Sequence, residues 1–490
     1  MKKTLIRLTS LCLVLLMLCT AVACAETGTG EETTAPAQTE VNGDTPVDTE
    51  PVETAVNAEN ILGLRDYNGK TLTFFSRVDS VWGTDLMAED INGTVLNDAI
   101  YKRNSTICEK YGIELEELEG STTFRDQVGN RIASGDTTYQ VLYMGLADAA
   151  HASQSGYLLD LTELENINLG GQWWTQSSNK AWSFGNRQYF ATGAITTTDD
   201  RAIRTMFFNK DMIEELQLET IYNLVDRNEW VYEKFFEYVE VAKKDDGDGI
   251  VTLNDTFGAS AQVTFGFMMT MASGEMLVQK DTEDLPYFAV TDNARFVDVV
   301  NYLTENIAGN DGIYLGADAD IKDIFGNGRS LFWAEVLLHA ETLRMNYDLN
   351  FGIIPMPKYN ADQENYHQYT TGYCASVICF PTTTTGDDLD FASFMVEAMA
   401  IESVETVVPS YYDVCLKGRY VDDAESAAML DIITTSVSSD YAEILGWGGF
   451  KTTVQNAISA GNSITTIIKS NAPMTKKAIQ KAIEAFQKLP

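Results

Sequence analysis

The chain has 490 residues, with 34 Lys plus Arg against 71 Asp plus Glu and a formal net charge of −37. Nucleic acid is excluded as a direct partner, because binding it relies on Lys and Arg contacts with phosphates; anionic membrane surfaces are poor partners for the same reason, while neutral ligands stay open. Hydrophobic residues make up 45% and aromatic residues 10%, a composition for a well-packed body, and beyond Cys24 only Cys108, Cys374, Cys379 and Cys415 remain, too few for a disulfide-framed scaffold of this size.

Lys2, Lys3 and Arg7 precede an apolar run from Leu8 to Leu18, and Ala21-Val22-Ala23-Cys24 follows. That order predicts a signal peptide over residues 1–23. Even extended to Ala23 the run is about 16 residues, short of the roughly 20 of a bilayer-spanning helix. The small residues ahead of Cys24 resemble the bacterial lipobox, which implies lipidation of Cys24; a plain secretion signal with an incidental Cys24 is the alternative. Ala25 to Asn57 has no aromatic residue and no Lys or Arg. It cannot bury enough apolar surface to offset its ordering entropy, so residues 24–60 are expected to be a lipidated cysteine and a disordered acidic tether.

About 430 residues follow, too many for one simple core and suited to two lobes. Lys70–Arg77 reads as a first strand behind the turn pair Asn68-Gly69, Asn97–Tyr111 as a helix ended by Gly112, and Ile113–Leu118 as a strand. Phe124–Ala133 reads as a helix and Tyr139–Gly145 as another apolar strand. This alternation predicts α/β layers with a mostly parallel sheet. Ligands in such sheets sit beyond the carboxyl ends of strands, which makes Ser76–Trp82 and Gly145–Asp148 candidate ligand loops. Thr192–Phe208 reads as a strand-rich crossing segment, and Asn209–Leu216, Trp230–Val241 and 293–307 as helices. Ser330–Asn346 reads as one strong helix, with Phe332, Trp333, Val336, Leu337, Ala340 and Leu343 in its apolar pattern. Phe351–Ile354 and Tyr373–Phe380 are expected strands; Phe391–Ser403, Ala424–Val437 and Thr452–Phe486 are expected to be mainly helical.

Lys244–Asp255 is similar to an EF-type calcium loop, with Asp246, Asp248, Gly249 and Asp255 at the third, fifth, sixth and twelfth positions. Lys244 at the first offers no acceptor, though Asp245 would serve in a loop one residue shorter; a structural calcium and a plain acidic turn both remain open. His151, His339 and His367 show no spacing that joins them to one another or to cysteines, so no histidine metal site is read. Cys374 and Cys379 flank an apolar run and either pair or pack. The chain has no G-x-S-x-G, H-E-x-x-H, P-loop or G-x-G-x-x-G. Its aromatics are more informative: Trp82 follows a predicted strand, and Trp173, Trp174, Trp182 and Trp447 lie in polar or Gly-rich stretches, where a large ring either stacks on a ligand or packs lobes together. Trp230 opens a helix and is undecided, Trp333 reads as core, and Asp199 and Asp200 sit in the crossing, where they either hold a ligand hydroxyl or are solvated.

Four stretches carry a family resemblance: Gly93–Tyr111, Phe207–Phe236, Phe351–Tyr366 with its Phe-Gly-Ile-x-Pro-x-Pro-Lys turn, and Val407–Asp431. Together they resemble the bacterial extracellular solute-binding proteins (family 1, carbohydrate-type) of ABC transporters, in lipoprotein form, across about 65–455. The resemblance implies a two-lobed periplasmic-binding-protein-like fold of type II, with discontinuous lobes joined by a hinge. Lobe 1 is expected over 65–200 plus 373–405, lobe 2 over 201–372, and C-terminal helices over 406–490 mainly on lobe 2. It implies a ligand cleft lined by Asp79, Trp82, Asp148, Asp199, Asp200 and Trp447; Trp173, Trp174 and Trp230 are further ligand candidates. It also implies no catalytic residues and no required cofactor, and a monomeric carbohydrate receptor held by its lipid at the outer face of a cytoplasmic membrane, in a bacterium of Gram-positive type, and delivering an oligosaccharide to a permease. An extracellular glycan-degrading enzyme with a carboxylate pair and a non-catalytic adhesion protein are the alternatives.

Overall fold

The computed structural model of the protein describes residues 56–489 except 80, 83, 84, 413–415 and 417–423. The signal peptide, Cys24, nearly all of the tether and Cys415 lie outside the described residues. Asn57 caps a helix over Ala58–Leu62 by accepting from the Asn60 N–H at 2.9 Å. Ala58 is buried, and its N–H donates to Glu402 at 3.4 Å. The folded body therefore starts a few residues before the expected end of the tether at 60, because one apolar side chain and a cap suffice to seat that turn.

The strands in chain order are β1 (Lys70–Ser76), β2 (Ile113–Glu119), β3 (Val141–Gly145), β4 (Arg204–Asn209), β5 (Phe257–Ala261), β6 (Val278–Lys280), β7 (Pro286–Phe288), β8 (Ile313–Leu315), β9 (Ser330–Val336), β10 (Phe351–Ile354), β11 (Gln368–Tyr369), β12 (Ser376–Cys379) and β13 (Val437–Ser438). They form a four-stranded sheet in the order β12-β3-β1-β2, a five-stranded sheet in the order β10-β4-β9-β5-β8, and two small pairs, β11-β13 and β6-β7. In the first sheet β1 runs parallel to β2 and β3, with Phe74 opposite Val141, and β12 returns antiparallel with Ser376 opposite Gly145. In the second, β5 is parallel to β8 and β9, whereas β4 is antiparallel to β9, with Arg204 opposite Val336.

The buried apolar side chains form two clusters, one on a single face of the first sheet and a larger one that runs from that sheet's other face, with Phe75 and Leu142, to the second sheet. The helix Gly386–Val404 buries Phe391, Phe394 and Met395 together with Phe74, Tyr111 and Val141. The helix Tyr232–Ala242 buries Phe235 and Val239 in the core that contains Phe207, Phe332 and Trp333. Cys374 and Cys379 are buried and unpaired, so they pack and form no disulfide.

Three sequence expectations need correction. Ser330–Asn346 is not one helix: Ser330–Val336 is β9, buried at every position, and the helix spans only His339–Asn346. A strand covered on both faces reads as a continuous apolar run, which a helical pattern can also accommodate. Gly145–Asp148 is not a loop, because the helix Leu146–Gln154 starts directly after β3. The crossing is less strand-rich than expected, with isolated bridges at Gly193 and Ile203 around a short helix, Thr198–Arg201.

The long C-terminal helix Ile464–Phe486 buries Ile464, Ile468 and Ile479 in the larger cluster. Its end reaches residues that precede the crossing. Phe486 stacks on Phe184 with centroids 3.9 Å apart, and Arg187 donates to the Leu489 carbonyl at 3.4 Å.

Candidate functional site

The register places the ends of β1 and β3 and the start of β12 on one edge of the first sheet. The ends of β5, β8, β9 and β10 and the start of β4 likewise share one edge of the second. Two crossing segments join these edges. The Ser376 N–H donates to Thr198 Oγ1 at 3.0 Å, and Ile203 bridges to Thr370. The carboxyl ends of both sheets thus meet at the crossings, the position where open α/β sheets take ligands.

Charged pairs line this junction. After β1, Arg77 meets Asp79 at 2.9 Å and also donates to the Tyr373 carbonyl at 3.4 Å. Arg201 donates to the Val81 carbonyl at 3.3 Å and pairs with Glu341 at 3.5 Å. Burial raises the Glu341 carboxyl above its ordinary value, and Arg201 opposes the shift. At the second sheet's edge Arg204 forms a close pair with Glu335, whose other oxygen accepts from Gln262 at 2.8 Å. Glu443 accepts from the Gly372 N–H at 3.1 Å and pairs with Lys451. Next to that glycine, Tyr373 is 74% exposed, and Val78 and Val81 are exposed too. The junction therefore combines apolar surface with donors and acceptors already held in place, an arrangement suited to orienting a polar ligand.

The model of the bacterial extracellular solute-binding protein family matches residues 105–406. The chain belongs to this family. No curated protein matches it by sequence. Among solved structures it is similar to the ABC substrate-binding protein Lmo0181 from Listeria monocytogenes in complex with cycloalternan, at 10% identity over 86% of this chain and 98% of that one, with a TM-score of 0.52. It is similar to a cyclo/maltodextrin-binding protein complexed with maltotetraose, at 12% identity over 86% and 97% of the two chains, with a TM-score of 0.56. It also resembles UspC of M. tuberculosis, at 12% identity over 83% and 100%, with a TM-score of 0.53. At such identities the likeness is one of fold, and the fold is that of two-lobed solute-binding proteins.

Not every residue singled out in the sequence reaches the junction of this solute-binding protein. Asp79 does, spending one oxygen on the Val81 and Trp82 N–H groups at 2.9 and 3.1 Å. Trp82 is there but buried, with its carbonyl accepting from Ser376 Oγ at 2.6 Å. Asp199 and Asp200 lie on the crossing helix, Asp199 buried and Asp200 half-buried. Asp148, in the first turn of its helix, pairs with Arg125 at 4.0 Å instead of with a crossing residue.

The tryptophan expectations need the larger correction. Trp173 and Trp174 are buried and donate their indole N–H groups to the two oxygens of Glu397, at 2.8 and 3.0 Å. Trp230 has no exposed surface and donates to the Pro355 carbonyl at 3.0 Å. Trp447 is buried and stacks on Tyr441 at 5.8 Å. Each of these rings packs within the body, since a buried indole needs only one acceptor to be satisfied. The residues that sequence reasoning missed are Tyr373, Arg201, Arg204, Gln262, Glu335 and Glu341. A signal was present for two of them: Arg201 and Arg204 follow Asp199-Asp200 as rare cations in an acidic chain.

In the acidic loop the carboxylates of Asp245, Asp246 and Asp248 come together, with ligand atoms within 4.8 Å of one another. Asp255 is not part of that group; it is buried and closes the loop by accepting from the Asp246 and Thr252 N–H groups at 3.0 and 2.8 Å. Of the expected calcium ligands only Asp246 and Asp248 therefore assemble, and Asp245 replaces Asp255. Calcium takes six to eight oxygens, so an ion on these three carboxylates would complete its shell with backbone carbonyls or water.

Proposed function

We propose that this solute-binding protein captures a carbohydrate, an oligosaccharide by preference, in the junction between its two sheets and delivers it to the permease of an ABC transporter. The observation that carries this reading is the combination at one edge of an exposed Tyr373, exposed Val78 and Val81, and the fixed pairs Arg77–Asp79, Arg201–Glu341 and Arg204–Glu335. Apolar faces of sugar rings stack on an aromatic, while the paired charges hydrogen-bond hydroxyls without a net charge to repel or trap an ion. The cycloalternan and maltotetraose carried by two structures of the same fold support the substrate class. A lipid on Cys24 and a tether through residue 56 would keep the receptor beside its permease; mass spectrometry of the membrane-extracted protein tests that part.

The substrate is tested by thermal unfolding against a panel of neutral oligosaccharides. At least one is expected to raise the melting temperature by mass action. Tyr373→Ala should weaken its binding about tenfold, worth about 1.4 kcal/mol, with the ligand-free melting temperature unchanged. A panel in which only peptides or polyamines stabilise the protein would overturn the reading.

A further inference from the structure

We propose that the carboxyl edge of the second sheet holds a divalent transition-metal ion on Asp318, Glu335 and His339. The three residues come from three elements. Asp318 opens the helix that follows β8, Glu335 is the penultimate residue of β9, and His339 opens the helix after β9. Strands β8 and β9 flank β5, so the three side chains converge over the end of β5. One ligand atom from each lies within 4.8 Å of the other two. Metal bonds of about 2.0–2.2 Å to nitrogen and oxygen place three ligands on one ion about 3.3–3.8 Å from each other, so the side chains close in by up to about 1 Å when an ion enters.

An independent observation points to a ligand there. Asp318 Oδ1 and His339 Nδ1 are both buried without a hydrogen-bond partner in the protein. Buried polar atoms are nearly always satisfied, and here two unsatisfied ones belong to residues of the converging group. Glu335 is engaged by Arg204, by Gln262 and by the Val336 N–H, but a carboxylate has about four lone-pair sites, so it retains acceptor capacity. Those bonds also fix its orientation, as partners behind a metal ligand do.

Two cations stand nearby and set the expected strength. Lys322 pairs with the second oxygen of Asp318 at 2.6 Å, on a side chain that is partly exposed, so it can withdraw to solvent when an ion enters. Arg204 cannot, and its charge weakens the site without removing a donor. One imidazole and two carboxylates suit zinc or manganese, whereas calcium prefers oxygen alone. The site is distinct from the exposed carboxylates at Asp245, Asp246 and Asp248; it shares Glu335 with the carbohydrate junction, but its test reads metal uptake alone.

The test is isothermal titration of the chelator-treated full-length protein with zinc, manganese and calcium. Zinc is expected to bind one to one with micromolar affinity and calcium not to compete. His339→Gln and Asp318→Asn should each weaken zinc at least tenfold, and Asp248→Asn should leave it unchanged. Cobalt added to the unaltered protein should give visible absorption bands of a nitrogen and oxygen site, a readout independent of how well the variants fold. The proposal is overturned if the unaltered protein takes up no zinc and gives no cobalt bands, if His339→Gln keeps full affinity, or if Asp248→Asn abolishes it.

Discussion

Asp199 has one carboxylate oxygen buried without a partner, while the other accepts from Thr175 Oγ1 at only 3.4 Å. Burial, and then the neighbouring Asp200, raise its pKa well above the ordinary carboxylate range; burial likewise pushes Asp200 up to about 6. In the unfolded chain both would titrate near about 3.9. The folded protein therefore keeps protons that the unfolded chain has lost. Stability from this pair is full below about pH 4 and is lost as pH rises, for Asp200 through about 6 and for Asp199 through its own raised pKa. For Asp200 the upper bound is about 3 kcal/mol at about 1.36 kcal/mol per pKa unit, reduced by the solvent that still reaches it. Asp199→Asn should raise the melting temperature at pH 8 by about 2–4 °C, with the gain shrinking toward pH 5; a gain that is equal at both pH values would sink the account. The sequence made this pair visible as two acids in a crossing. It could not tell a solvated pair from a buried one, because Asp199 is packed by Thr175 and Thr370, which come from other parts of the chain. The same limit explains the tryptophans: the partner of Trp173 and Trp174 is Glu397, more than 200 residues away.

Elements with local signals were legible, and those defined by their neighbours were not. Phe124–Ala133 and Phe351–Ile354 have the expected bounds, since Gly and Pro punctuation and amphipathic spacing lie within the segment itself. Strand β9 was misread because it lies inside the sheet between β4 and β5 with both faces buried, which erases the alternation that marks a strand. Strand β5 shows what close layering demands of a sequence. A Cβ added at Gly258 would lie 2.3 Å from the Cα and the carbonyl oxygen of Val239, in the helix Tyr232–Ala242. That obstacle is backbone and cannot rotate away. Gly258→Ala should force the helix outward and cost about 1–3 kcal/mol, read as a lower urea midpoint with an unchanged slope. A midpoint equal to that of the parent protein would show that helix and strand have more room than this geometry allows.

At the scale of the molecule, the two-sheet plan was legible from alternating elements and from the motifs that resemble the solute-binding family, while contacts that join the two sides away from the crossings were not. The β6-β7 hairpin makes one such contact with residues 180–187. Lys280 Nζ donates to the Lys180 and Ser183 carbonyls at 3.0 and 2.6 Å and pairs with Asp284 at 3.0 Å. Asp284 accepts from the Asn186 N–H through its side chain and from the Gly185 N–H through its carbonyl, each at 3.0 Å. Lys280 is partly buried, and that burial lowers its pKa while Asp284 opposes the shift. If ligand capture closes the two sides about a hinge, as the proposed function requires, a second attachment has to lie near the axis or release during motion. Lys280→Met removes the ammonium that draws the carbonyls of residues 180 and 183 to the hairpin, yet keeps a similar apolar stem. Hydrogen exchange at the Gly185 and Asn186 amides should then speed up by about tenfold or more, the effect of losing about 1.4 kcal/mol of local protection, while β1 and β3 keep their rates. If the attachment limits opening, the radius of gyration of the ligand-free protein by small-angle scattering should rise as well. Faster exchange with an unchanged radius would place the hairpin near the axis, where it steadies the hinge without restraining it; unchanged exchange would mean that the hairpin does not hold the two sides together at all.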